Sequence, residues 1–225
     1  MGKLIENNWN MNFFIRKADS SDIPFLVKAV IHAEKLHTDI ISYCTLFSIS
    51  EAEFADQVQL AFDEEIGVPA WDFQNWSVAT NESNTPLAAI AHWKEAGGRG
   101  SESQKFQFLS MINKSKVNEN QVKGQFELLQ QLGIPRIVGF IQLDFLFTDS
   151  YWRGKGIMSK LIKNIFQNFP NETFQIQVLG VNENAIQLYN KLGFKENERR
   201  NVEGLKEKRL MADDVKINMI NHGKS

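Results

Sequence analysis

The sequence predicts an α/β fold in which strands and helices interleave, and three observations carry that reading. Arg136 to Asp149 is a nearly continuous apolar run, the pattern of a central strand covered on both faces. The polar turn Ser150-Tyr-Trp-Arg-Gly-Lys-Gly156 follows it and leads into a helical pattern from Ile157 to Phe169. Upstream, the short apolar runs Trp76–Thr80 and Leu87–Trp93 flank a turn-rich Asn81-Glu-Ser-Asn-Thr-Pro86, as in a hairpin.

The remaining elements follow in order. Asn12–Ala18 reads as a first strand, and Asp19-Ser-Ser-Asp22 has the form of a capping box. The helix it opens repeats Ile23, Leu26, Val27, Val30 and Ile31 at helical spacing. Glu51–Glu65 is a second amphipathic helix, with Phe54, Val58, Leu60 and Phe62 as its apolar positions. Residues 96–133 break the pattern. They open on Gly97-Gly98-Arg99-Gly100-Ser101, a flexible loop with a phosphate nest as its alternative, and carry helical stretches at Gln104–Asn113 and Asn120–Leu132, so they are expected to form a helical insertion before the central strand. In the helix after the glycine turn, Ile157, Met158, Leu161, Ile162, Ile165, Phe166 and Phe169 share one stripe, and Pro170 ends it. Phe174–Val181 is a strand, Glu183–Leu192 a short helix capped by Gly193, and the tail from Phe194 to about Val215 a final hairpin. With no linker and no repeat, residues 1–225 are expected to form one domain.

Composition narrows the function classes. Of 225 residues, 43% are apolar and 23% charged, a globular balance, and the net charge of −2 supplies no field for nucleic acid. Cys44 has neither a disulfide partner nor a neighbouring base that would make it an acyl-carrying nucleophile. No His/Cys/Asp/Glu cluster has metal-ligand spacing, no apolar run reaches the roughly 18 residues of a membrane span, and the first residues lack a signal-peptide core, so a cytoplasmic protein is expected.

The chemistry is expected after Pro135. A strand feeding a glycine turn and then a helix presents free amides and a positive dipole end to an anion. Gly154 and Gly156 would let the backbone approach it, and Arg153 or Lys155 would add charge; a plain tight turn is the alternative. The turn lacks the lysine–hydroxyl ending of a P-loop, and Ser159 stands where a dinucleotide fingerprint needs a third glycine or alanine.

Two motifs together resemble the GNAT-type N-acetyltransferase superfamily. Arg153-Gly-Lys-Gly156-Ile157-Met158 is similar to its pyrophosphate loop Arg/Gln-x-x-Gly-x-Gly/Ala, with Met158 in place of the final small residue. Asn182-Glu-Asn-Ala185-Ile186-Gln-Leu188-Tyr189-Asn-Lys191-Leu192-Gly193-Phe194 is similar to its Asn-x-x-Ala-Ile-x-Leu-Tyr-x-Lys-Leu-Gly-Phe pattern. The resemblance spans about Ile137–Phe194 and implies a GNAT-like fold, a mixed, mostly antiparallel sheet flanked by helices.

It also implies acetyl-CoA as co-substrate, with no metal. The pantetheine arm would pair with backbone at Leu146, Phe147 and Thr148, the pyrophosphate would meet the amides of Arg153, Gly154, Lys155, Gly156, Ile157 and Met158, and Asn182 would touch the cofactor or cap its helix. Tyr189 would protonate the leaving thiolate, or else pack as a core aromatic. For the base, Asp144 is the only carboxylate inside the strand, on the face of Gln142 and Phe140 by alternation; its alternative is a hydrogen-bonded or ion-paired aspartate. His92 is the second candidate, beside its reading as a packed core histidine. The acceptor would be a primary amine of a small molecule or peptide, attacked directly, with a second copy of the chain as an optional partner and neither nucleic acid nor membrane. The rival class is a non-catalytic acyl-CoA-binding protein on the same fold.

Overall fold

The computed structural model describes residues 12–64, 67–97 and 119–223. Within them seven strands pair into one sheet: β1 (Phe14–Lys17), β2 (Trp76–Thr80), β3 (Pro86–Lys94), β4 (Ile141–Thr148), β5 (Phe174–Leu179), β6 (Lys195–Asn201) and β7 (Val215–Asn221). Their order is β1-β2-β3-β4-β5-β7-β6, antiparallel except at the parallel pair β4–β5. The helices are α1 (Ile23–Lys35), α2 (Ser42–Phe47), α3 (Glu51–Asp63), α4 (Glu119–Leu132), α5 (Ile157–Asn168) and α6 (Glu183–Lys191).

The sheet separates two cores. On one face α1 to α4 pack with Phe145, Phe147, Trp71 and Trp76; on the other, α5 and α6 bury Ile141, Leu143, Ile176 and Ile217. Helix α4 carries Val122, Phe126, Leu129 and Leu132 into the first core at helical spacing. The expected helix at Gln104–Asn113 and the glycine-rich residues 98–101 lie outside the described residues.

Several expectations need correction. The central strand begins at Ile141, not Arg136. Gly139 takes a left-handed φ of 88°, and Gly139 and Phe140 bond to Glu95 just past the end of β3, so residues 133–138 form a separate segment before β4 starts. In α3, Leu60 lies outside the buried stripe and Ala61 lies within it. The C-terminal hairpin runs further than expected, because Val215–Asn221 is a buried strand that inserts between β5 and β6. Helix α2 escaped the sequence reading, since six residues are too few to show a period.

The capping box at Asp19–Asp22 forms, although it opens a short 3₁₀ turn and α1 starts at Ile23. Asp22 is buried and takes Arg16 Nη1 at 2.6 Å, Arg16 Nη2 at 3.0 Å and the Asp19 N–H at 2.9 Å, which ties β1 to the start of α1. Arg16→Met would leave that carboxylate buried without its charge partner, so urea unfolding is expected to show a loss of about 3–5 kcal/mol. A loss below about 1 kcal/mol, the range of surface pairs, would refute this.

Candidate active site

The site begins with one extra residue in β4. Ala89 and Ala91 on β3 face Phe147 and Asp144, so two steps on one strand meet three on the other. Phe145 absorbs the excess at φ 49°, left-handed and unusual for an aromatic residue. Strict alternation would put Phe145 with Ile141 and Leu143. The bulge instead turns it into the opposite core, where its ring lies 5.5 Å from Trp71 and 6.0 Å from Trp76. Asp144 and Phe145 therefore share a face, a correction to the expected pattern.

The bulge also parts two strands. β4 pairs with β5 only from Ile141–Leu143 to Phe174–Ile176, although β4 runs on to Thr148 and β5 to Leu179. A wedge opens between them. Along its β4 lip stand Asp144, Phe145 and Leu146, then Phe147 and Thr148, which pair with Ala89 and Ala88. The Thr148 carbonyl also accepts Arg153 Nε at 3.1 Å.

Beyond Thr148 comes the turn. Gly154 and Gly156 take φ 73° and 77°, and a Cβ at either would meet nothing within 4 Å, so the turn backbone is open to approach. Lys160 N–H makes the first bond of α5, to Gly156 O, and no side chain caps that helix. Among the described residues, the amides of Gly154 to Ser159 have no protein acceptor, which leaves a concave row of donors at a helix N-terminus. Lys155 folds back over Tyr151 and Trp152, its Nζ 4.2 and 4.5 Å from the two ring centres.

Sequence reasoning missed a group contributed by α1. Lys28 Nζ lies 2.6 Å from Asp149 Oδ2 and holds that carboxyl below its usual range, while the Asp149 carboxylate caps the turn at Tyr151 N–H. His32 stacks on Phe147 at 5.0 Å, with its pKa lowered by burial and then by Lys28 and Arg153. Nothing in the local sequence links residues 28 and 32 to residues 147–153; only packing of α1 on β4 brings them together.

The expected acid–base residues have contrasting settings. Tyr189 in α6 is 5% exposed, edge-on to Phe194 at 5.9 Å, and its hydroxyl makes no hydrogen bond among the described residues. Burial pushes its pKa well above that of an ordinary phenol, and the Asp144 charge pushes the same way. Asp144 Oδ2 meets Arg136 Nη2 at 2.6 Å, and Oδ1 accepts the Phe145 N–H at 3.0 Å. Arg136 is the residue the sequence reading overlooked: its guanidinium lies 4.9 Å from the centre of the Trp93 ring, and a lone cation in an apolar run was the available signal. Asn182 caps α6 at Ala185 N–H. His92 is buried and bonded to Ser77 Oγ at 2.9 Å, and burial lowers its pKa to about 4. Burial pushes the Cys44 thiol up to about 11, which keeps it protonated at neutral pH. Among the described residues no group of three or more His, Cys, Asp or Glu could hold a metal ion, and no helix is long and apolar enough to cross a membrane.

Residues 98–206, which include the wedge, the turn and both motifs, match the family model described as an acetyltransferase (GNAT) domain. Over those residues the chain is similar to a GNAT acetyltransferase domain. An N-acetyltransferase from Staphylococcus aureus Mu50 is similar in fold, at TM-score 0.60 and 15% identity over 92% of this chain and all of that one. A putative acetyltransferase from Salmonella typhimurium, solved with its cofactor acetyl-CoA, superposes at TM-score 0.52 and 15% identity, with 95% of each chain covered. A phosphinothricin acetyltransferase from Sinorhizobium meliloti in complex with acetyl-CoA gives TM-score 0.52 and 15% identity over 95% of this chain and 90% of that one. No curated protein matches the chain significantly.

Burial of His92 couples stability to pH. Its folded pKa of about 4 lies below the ordinary value near 6.5, so the unfolded chain binds the proton more readily. The contribution is present in full above pH 6.5 and is lost as pH falls toward 4, in total about 3 kcal/mol. His92→Gln should flatten that part of the stability–pH curve, as read by chemical unfolding at pH 7, 5.5 and 4.5. A parallel fall in mutant and parent would assign the acid sensitivity elsewhere.

Proposed function

We propose that the protein is an acetyl-CoA-dependent N-acetyltransferase, a cytoplasmic enzyme working as a single domain, that transfers acetyl directly to a primary amine of a small molecule or peptide. The observation that carries this reading is the alignment of the β4–β5 wedge with the uncapped amides of Gly154–Ser159. An extended chain bearing amides can pair with an open strand lip, and a pyrophosphate suits the donor row beyond it. Acetyl-CoA has both parts in that order, and the two neighbours solved with it share the fold.

In this reading Leu146, Phe147 and Thr148 supply the backbone beside the pantetheine arm, and Arg153 to Met158 hold the pyrophosphate. The amine attacks the thioester carbonyl, the C–N bond forms as the C–S bond breaks, and the departing thiolate takes a proton. Tyr189 is its donor: the raised pKa keeps the hydroxyl protonated at neutral pH, within the field of Asp144 on the wedge lip. For Asp144, two engaged oxygens support the ion-paired alternative over a free base. The bonded, buried His92 supports a structural role for that residue as well. Water at the wedge then takes the amine's proton.

Excess acetyl-CoA is expected to raise the midpoint of thermal unfolding, since ligand at 100 times Kd adds about 2.7 kcal/mol. ATP and NAD at equal concentration should not, and a shift with ATP or NAD alone would overturn the reading. Incubation with a panel of amines, followed by free-thiol release, then identifies the acceptor class.

Tyr189→Phe should lower turnover by roughly 10²-fold, within the usual range for a lost general acid, with acetyl-CoA affinity nearly unchanged. Steady-state kinetics beside calorimetric binding reads both quantities. An unaltered turnover, or an equal loss of binding and turnover, would return Tyr189 to packing.

A further inference from the structure

Between α4 and β4, residues 133–137 cross the sheet on the face opposite α5. Gly133 N–H still closes α4 on Leu129 O and Gln130 O, and beyond it side chains of the outer strands hold the backbone. Gln177 Nε2 on β5 donates to Ile134 O at 2.8 Å, Gln175 Nε2 donates to Pro135 O at 3.3 Å, and Ile137 N–H donates to Gln175 Oε1 at 2.7 Å. Gln175 is fully buried, held from the other side by Asn218 at 2.9 Å. Arg200 on β6 also bonds to Gly133 O. The segment is thus hung on β5 and its outer neighbours.

Its one charged side chain reaches the other way. Arg136, 5% exposed, stacks on Trp93 of β3 and grips Asp144 on the β4 lip. Gln177 stands just past the last β4–β5 pair on one strand, and Asp144 stands just past it on the other. One short segment therefore bonds to both lips at the first step where they part. The grip also reaches the bulge: the carboxylate held by Arg136 accepts the N–H of Phe145, the residue in the left-handed conformation that creates the wedge.

We propose that residues 134–136 brace the wedge, and that Arg136 is a positioning residue that sets the width available to the acyl-carrying arm of the donor. The inference rests on the acetyltransferase reading above. Arg136 touches neither the turn amides nor, in this reading, the reacting atoms; it acts through Asp144 and the bulge.

The test compares two probes on the full chain by calorimetry: acetyl-CoA, which has the pantetheine arm, and adenosine 3′,5′-bisphosphate, which lacks it. Arg136→Met keeps an unbranched side chain and removes the guanidinium that stacks on Trp93 and holds Asp144. It should weaken acetyl-CoA roughly tenfold, the scale of one lost coupling in a contact network, and leave the bisphosphate within about twofold. Gln177→Met, which cuts the tie at the other lip, should show the same selectivity and serves if Arg136→Met folds poorly. Equal weakening of both probes, or of neither, in a folded variant overturns the brace. Failure of the parent protein to bind acetyl-CoA overturns the acetyltransferase reading instead, so the two failures are distinct.

Discussion

The left-handed backbone at Phe145 forces β4 to part from β5 after Leu143, and the rest of the site is arranged around that parting. A parallel pair ordinarily continues as long as both strands do, because each further step adds hydrogen bonds. Here the extra residue turns the lip of β4 and gives up those bonds. An aromatic side chain in that conformation is strained by about 1–3 kcal/mol, and the offset comes from contacts that exist only in the folded chain. Phe145 stacks on Trp76 and lies tilted against Trp71, both fully buried, and its amide is held by Asp144. The first core and the bulge therefore stabilise each other.

Charge is distributed along the wedge in a consistent way. At the turn end, uncapped amides, Arg153 and Lys28 make a setting for anions, with Asp149 holding Lys28 in place. At the bulge end, the one carboxylate is matched by a buried guanidinium, so the wedge interior carries little net charge. Tyr189 lies on the opposite face from Arg136, within reach of the Asp144 field, and its proton is held tightly for want of solvent. A charge-paired interior thus lies beside a mouth of open amides and cations.

Much of this was legible in the residue order. The glycine turn, the stripe of α5 and the Asn182–Phe194 motif are local patterns, and they appear in the structure where their spacing places them. Left-handed Gly154, Gly156 and Gly193 follow the same rule, since an L side chain at positive φ costs energy whatever surrounds it. The bulge was not legible. Its run reads as an ordinary strand, and no glycine marks the residue that turns.

What the sequence determined by itself is what depends on neighbours along the chain: element types, the caps at Asp19 and Asn182, and the open amides before α5. What only the tertiary structure decided is what depends on residues far apart in sequence. Gln177 bonds to Ile134 across 43 positions and Lys28 reaches Asp149 across 121, and even Arg136 and Asp144, eight apart, meet only because the segment before β4 is held against the sheet. The physical reason is that a periodic pattern records which side of an element is apolar. It does not record which distant polar group will satisfy a buried one, and such pairings hold the wedge open.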